Sequence, residues 1–292
     1  MGIAYSVFVT GAFMAGLGGL LALLLAIASK KLYVYEDPRI DQVEELLPHS
    51  NCGACGTAGC RNFAEQVVEG KIEPGHCTVN TSDQNKNIAA LLGVAMGDIE
   101  KRVARLACAG GRHVAKMRAH YDGLSSCAAA AVAGGGKNCT WGCLGFGDCA
   151  DVCDFDAIVM DQHGLPAVDS AKCTACGDCV DVCPKSLFSL QAMSHKLWMA
   201  CRNESDGDIA EAACEVACTA CERCVADAAS GLISIANKLA VVDYSMNESA
   251  RRKAIERCPT GAIVWLEGDQ INKGKAAKKI IRIEPLPVIA EA

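Results

Sequence analysis

Aromatic residues make up only 5% of this 292-residue chain, too few for packing alone to account for its composition. Positive charge is also in short supply. The 28 Lys and Arg face 34 Asp and Glu for a net charge of −6, and no long basic stripe is interleaved with aromatics, which argues against nucleic acid as a partner. No Gly-x-Gly-x-x-Gly fingerprint follows a plausible strand, so no nicotinamide or flavin site is expected. The sequence Gly134-Gly135-Gly136-Lys137 looks like a phosphate loop, but Ala131 and Asn138 break the Walker pattern, and it reads as a flexible turn. A metal-hydrolase motif, a nucleophile elbow and a paired-carboxylate site are likewise missing. No catalytic residue is therefore assigned.

Charge is absent altogether from residues 3–28, a stretch longer than the roughly 20 residues that cross a bilayer as a helix. Lys30 and Lys31 follow at once. By the positive-inside rule Met1 faces outward and the remainder is cytoplasmic, which implies a cell (inner) membrane protein with one span. A cleaved signal peptide, whose cleavage site Ala26 and Ala28 would mimic, needs a basic leader and a shorter apolar core. Gly11, Ala15 and Gly19 repeat every four residues, a pattern that suits close approach of a partner membrane helix and equally suits ordinary membrane-helix composition.

Cysteine is what the chain has in excess, with 20 residues whose spacing favours metal over disulfides. Cys52, Cys55 and Cys60 stand close together and Cys77 follows after sixteen intervening residues, one set of four for a [4Fe-4S] cluster. Zinc, the competing metal, usually takes two separated Cys-x2-Cys knuckles. His49 and His76 flank the set and are left out of it. Residues 88–120 (Ile88, Leu91, Leu92, Ala95, Ile99, Val103, Leu106) show helical periodicity, the expected connector.

A short unit then recurs four times, a cysteine before a turn and an apolar pair: from Cys149, Cys179, Cys224 and the segment ending at Cys258. These units resemble halves of bacterial ferredoxins, in which a Cys-x2-Cys-x2-Cys run holds one cluster and a following Cys-Pro crosses to its neighbour. That resemblance implies one cluster on Cys173, Cys176, Cys179 and Cys153, and its partner on Cys139, Cys143, Cys149 and Cys183. In the second pair Cys218, Cys221, Cys224 and the crossing Cys258 remain, while Ala228 replaces the other crossing cysteine, so one cluster is expected where two would be usual. Cys108, Cys127, Cys201 and Cys214 are left over, as tentative ligands of one more cluster or as buried structural thiols. Four [4Fe-4S] clusters are expected, and a fifth if these join.

The implied fold is α+β. A membrane anchor (1–31) precedes a four-cysteine domain (32–90), a helical connector (91–138), a two-cluster ferredoxin-like βαββαβ domain (139–200), a degenerate one-cluster ferredoxin-like domain (201–268) and a flexible tail (269–292). The order of parts, with the motifs Leu46 to Gly56, Gly142 to Cys149 and Lys172 to Cys179, closely resembles the B subunits of Rnf complexes, the ion-translocating ferredoxin:NAD+ oxidoreductases. The resemblance implies a subunit that accepts electrons from soluble ferredoxin and passes them to other membrane subunits, with NAD reduction and ion movement elsewhere. The iron-sulfur subunit of a hydrogenase or quinone reductase, and a membrane-tethered redox sensor, are the rival readings. A local basic excess (Lys101, Arg102, Arg105, Arg112, Lys116, Arg118 against Asp98 and Glu100) offers a docking face for an acidic ferredoxin or a solvated helix surface.

Overall fold

In the computed structural model, residues 2–32, 35–97 and 99–289 are described; Met1, Tyr33, Val34, Asp98 and the last three residues of the tail lie outside them. Helix α1 (Gly2–Lys31) is the apolar run, its described side chains mostly open to the surroundings. Among the described residues it alone is long and apolar enough to cross a membrane. At about 1.5 Å rise per residue it exceeds the roughly 30 Å hydrocarbon core.

The cysteine-rich N-terminal unit packs α2 (Pro38–Glu45), α3 (Cys60–Val68) and α4 (Ser82–Leu92) around Val43, Phe63, Val67 and Ile88. Asp37 caps α2 and is held below the usual carboxylate range by the Arg39 guanidinium and backbone N–H. A reciprocal Thr81–Gln84 box opens α4, and Gly93, left-handed at φ +68°, closes it.

The expected helical connector is not formed. Helix stops at Leu92, and Arg102–Leu106 is strand β1, which pairs antiparallel with β4 (Phe188–Ala192). The apolar spacing that suggested a helix is satisfied instead by a strand that buries Val103 and Ala104 against Cys149, Ala157, Cys173 and Phe188. Tertiary burial has overridden the local period. Between these outer strands lie the short helices α5 (Cys127–Val132), α6 (Asp148–Asp151) and α7 (Asp178–Asp181) and the hairpin β2 (Ile158–Met160) with β3 (Pro166–Val168). Strand β1 thus joins β4 from outside the stretch expected to begin at 139.

The arrangement repeats. Strand β5 (Leu197–Met199) pairs with β8 (Ile263–Glu267), which also takes β9 (Gln270–Asn272), and the hairpin of β6 (Ile233–Ala236) with β7 (Leu239–Val242) lies inside. Helices α8 (Gly207–Ala213) and α9 (Arg223–Asp227) complete it.

The tail also differs from expectation. From Lys273 to Ile289 it straps back over the fold: Lys278 N donates to Pro259 O at 3.0 Å, Leu286 N to Arg112 O at 2.9 Å and Ile289 N to Met117 O at 2.7 Å. Arg282 donates to His113 O and pairs with Glu215. Two of its basic side chains, Lys278 with Glu211 and Arg282 with Glu215, thus have partners in the fold, which composition alone does not reveal.

Candidate metal centres

Each expected cysteine set lies where backbone turns leave thiols facing inward. In the N-terminal unit Gly53 (φ +70°) and Gly56 (φ +83°) turn the loop carrying Cys52 and Cys55, and Cys60 starts α3. Asn51 Oδ1 accepts from Cys60 N at 2.8 Å, and a Cβ on Gly59 would stand 2.9 Å from that oxygen. Cys77 follows the turn Pro74–His76, and the four thiols line one cavity. His49 and His76 do not line it.

Cys153, Cys173, Cys176 and Cys179 line a second cavity, the set that the crossing pattern implies. Ala104 N donates to Cys173 Sγ at 3.4 Å, a contribution from a strand that sequence reading placed in a helix.

The third cavity departs from expectation. It is lined by Cys127, Cys143, Cys149 and Cys183, with Cys127 in the place expected for Cys139. Asp148 explains the exchange: its carboxylate accepts from Cys127 N at 2.7 Å, Ala128 N at 3.1 Å and Ser126 Oγ at 3.0 Å. It caps α5 from the first residue of α6 and draws Cys127 beside its own neighbour Cys149. Burial opposes ionisation of Asp148, but these donors outweigh it and hold the carboxyl below its usual range.

Cys139 instead joins Cys108, Cys201 and Cys214 around a fourth cavity. Cys108 Sγ accepts from Cys143 N at 3.5 Å, Cys201 Sγ from Asn203 N at 3.4 Å and Cys218 N at 3.3 Å, and Cys139 Sγ from Asn203 Nδ2 at 3.5 Å. Gly110 leaves room here, since a Cβ would come within 3.1 Å of Cys214 Sγ. These ligand candidates are scattered from residue 108 to 214 with no shared motif; for Cys108, Cys201 and Cys214 being left over was the only signal in the sequence, and Cys139 is expected in the third set.

Cys218, Cys221, Cys224 and Cys258 line the fifth cavity. Beside it, Ala228, Tyr244, Met246 and Ala250 pack against a buried core that includes Ala254 and Ile255. This apolar plug contains Ala228, which stands where the repeat would have its other crossing cysteine.

The five cavities are alike in size, each about 300–340 Å³ of atom-free space. Among the described residues no three Cys, His, Asp or Glu side chains converge closely enough for a single ion. Zinc would draw its thiolates to about 2.3 Å from one centre. Thiols arranged around a cavity suit a cluster, which holds them apart at its corners. Burial pushes the Cys143, Cys149, Cys179, Cys201, Cys214 and Cys224 thiols up to about 12, and neighbouring sulfurs add to the shift. Such grouped thiolates need compensating positive charge, which iron supplies, and backbone N–H groups already point at several of the sulfurs. The donor set fits [4Fe-4S] clusters.

The cavities are joined in series. Thr78, next to Cys77, donates through Oγ1 to the carbonyl of Thr174, next to Cys173, at 2.6 Å. Helix α6 carries Cys149 of the third cavity and is followed by Cys153 of the second, and α7 carries Cys179 of the second and is followed by Cys183 of the third. The Cys143 N to Cys108 Sγ bond links third to fourth, and Cys218 N to Cys201 Sγ links fourth to fifth. The basic residues expected on one docking helix are divided instead between β1 and a loop, and Arg105 is half-buried. That burial pushes its guanidinium pKa down.

Residues 47–79 match the family described as "Putative Fe-S cluster", and residues 138–187 match the "4Fe-4S dicluster domain". The fold and cavities define an iron-sulfur protein of the four-iron type. Among similar proteins, the B subunit of the Na(+)-translocating ferredoxin:NAD(+) oxidoreductase complex of Acetobacterium woodii is 38% identical, over 88% of this chain and 76% of the relative. The B subunit of the ion-translocating oxidoreductase complex of Methanosarcina acetivorans is 38% identical over 86% of this chain and 96% of the relative. The B subunit of the proton-translocating ferredoxin:NAD(+) oxidoreductase complex of Clostridium ljungdahlii is 37% identical over 86% and 89%. The chain belongs to this family, the B subunits of Rnf complexes, and is an iron-sulfur electron-transfer subunit of that oxidoreductase.

Proposed function

We propose that this subunit takes electrons from reduced soluble ferredoxin and relays them through five [4Fe-4S] positions to membrane partner subunits. The observation that carries the reading is the series of five like-sized cysteine cavities, each linked to the next through a hydrogen bond or through cysteines on and just past the short helices α6 and α7. The ligands are Cys52, Cys55, Cys60 and Cys77; Cys153, Cys173, Cys176 and Cys179; Cys127, Cys143, Cys149 and Cys183; Cys108, Cys139, Cys201 and Cys214; and Cys218, Cys221, Cys224 and Cys258. The two repeated units are ferredoxin-like modules, the second holding a single cluster. When bound, the clusters accept and donate single electrons without bond changes in the chain. The chain's own residues fix their spacing, exclude bulk water and tune their potentials through N–H groups aimed at sulfur.

The anchor α1 holds the redox domain on the cytoplasmic face, as Lys30 and Lys31 require, with the N-terminus outside. The fourth cavity has a particular place in the series, because Cys108 Sγ accepts from Cys143 N of the third cavity and Cys201 Sγ from Cys218 N of the fifth.

The test is an anaerobic iron and sulfide count on the full-length chain in detergent, with EPR after reduction. Roughly 20 irons per chain with low-potential four-iron signals are expected. Roughly 16 would remove one site from the relay, and zinc or only about four irons would overturn it.

A further inference from the structure

Lys137 is the one charged side chain fully buried among the described residues, at 6% exposure. Its entry into the interior is built by the glycine run before it. Gly134, Gly135 and Gly136 are all left-handed, at φ +79°, +70° and +69°, and a Cβ on Gly136 would stand 2.6 Å from Ala119 O. Arg118 N and Ala119 N both donate to Gly136 O, so this is a fixed turn, in contrast to the flexible one expected from composition.

The ammonium donates to Gly110 O and to Cys143 O, both at 2.6 Å. Gly110 lies against Cys108 and Cys214 of the fourth cavity, and Cys143 lines the third. Two of its three donors are used on neutral carbonyls, and no carboxylate among the described residues pairs with it. A buried ammonium without an anion is costly, so its compensating charge must come from something else nearby. Lys137 lines the fourth cavity beside Cys139 and Cys214, and the Cys143 to whose carbonyl it donates lines the third.

We infer that Lys137 is an electrostatic tuning residue shared by the third and fourth cluster sites, its fixed positive charge raising the reduction potential of both. The inference rests on the five-site reading. Four thiolates outweigh the positive charge of an iron-sulfide core, and each electron received makes the site more negative. A fixed cation between two such sites favours the reduced form of each, and no proton or bond at Lys137 changes. Its placement also makes the step from one repeated unit to the other less dependent on solvent ions.

The experiment uses the full-length, iron-loaded chain with Lys137→Gln, Lys137→Met and Lys137→Arg, each assayed for iron, sulfide and EPR-monitored midpoints. In Lys137→Gln and Lys137→Met, two midpoints are expected to fall by at least a tenfold change in the oxidised-to-reduced ratio, about 59 mV for a one-electron couple. The other three stay in place, and Lys137→Arg behaves as the parent. Unchanged midpoints with full iron overturn the inference. Loss of iron in both neutral variants with retention in Lys137→Arg also assigns the role to charge, whereas loss in all three assigns it to shape and overturns the inference. A parent count of roughly 16 irons is a separate failure, that of the five-site reading, and takes the shared role with it.

Discussion

The two repeated units share a strand order and differ in what fills them. The first, from β1 to β4, has two cysteine cavities and a core whose buried residues include Cys149, Cys173 and Cys179 themselves. The second, from β5 to β9, has one cavity, and Ala228, Tyr244, Met246 and Ile255 occupy the other half. Tyr244 stacks on His195 at 4.3 Å and donates to Leu197 O at 3.2 Å, so the plug is anchored to a strand and its neighbour. The same scaffold can thus be held together from inside by metal or by apolar side chains. On the proposed ligation the first would draw folding free energy from its cofactor. The second carries part of its own stability as buried surface.

Removing the iron should break that comparison most widely. After chelation under anaerobic conditions, hydrogen exchange is expected to show β1 and β4 losing protection throughout, while β6, β7 and β8 keep much of theirs. Equal loss in both units would contradict a metal-dependent first core and a self-sufficient second one.

Within the second unit, Ile255→Ala removes a fully buried plug residue and should cost about 2–5 kcal/mol in denaturant unfolding, with iron content unchanged. A cost below about 1 kcal/mol would mean the plug is not part of the core. Within the first, Asp148→Ala removes the cap that seats Cys127 and is expected to cost about 0.5–2 kcal/mol, with faster iron release confined to one site. Uniform release from every site, or none, would argue against Cys127 as a ligand. The smallest effect is expected from Ala228→Cys. One thiol cannot restore a site that apolar side chains fill, so the iron count should not rise, and a gain of about four irons would show that the plug yields.

Much of the site was legible because [4Fe-4S] ligands come in local runs. Cys52 to Cys60 and Cys173 to Cys183 could be grouped from spacing, and Ala228 signalled the missing crossing ligand. The anchor was legible for a similar reason, since a bilayer imposes a length of uncharged chain that no tertiary contact modifies. The exchange of Cys139 for Cys127 was not legible, because it depends on Asp148 reaching a helix start some twenty residues earlier in the chain. The strand at 102–106 and the strapped tail escaped for a related reason: each is decided by a partner far away in sequence, β4 in one case and the loop around Arg112 to Met117 in the other.

The sequence by itself determined the anchor, the abundance of thiols and the local runs that grip three or more corners of a cluster, since each of these is a matter of chain length and near-neighbour spacing. Only the tertiary structure decided which distant cysteine completes each set, that Cys108, Cys139, Cys201 and Cys214 meet at all, and that the lysine after three glycines is buried between two sites. Closing a long loop is a weak and slowly varying cost, so sequence separation says little about which thiols meet. Packing, capping and the need to satisfy buried charge make that choice.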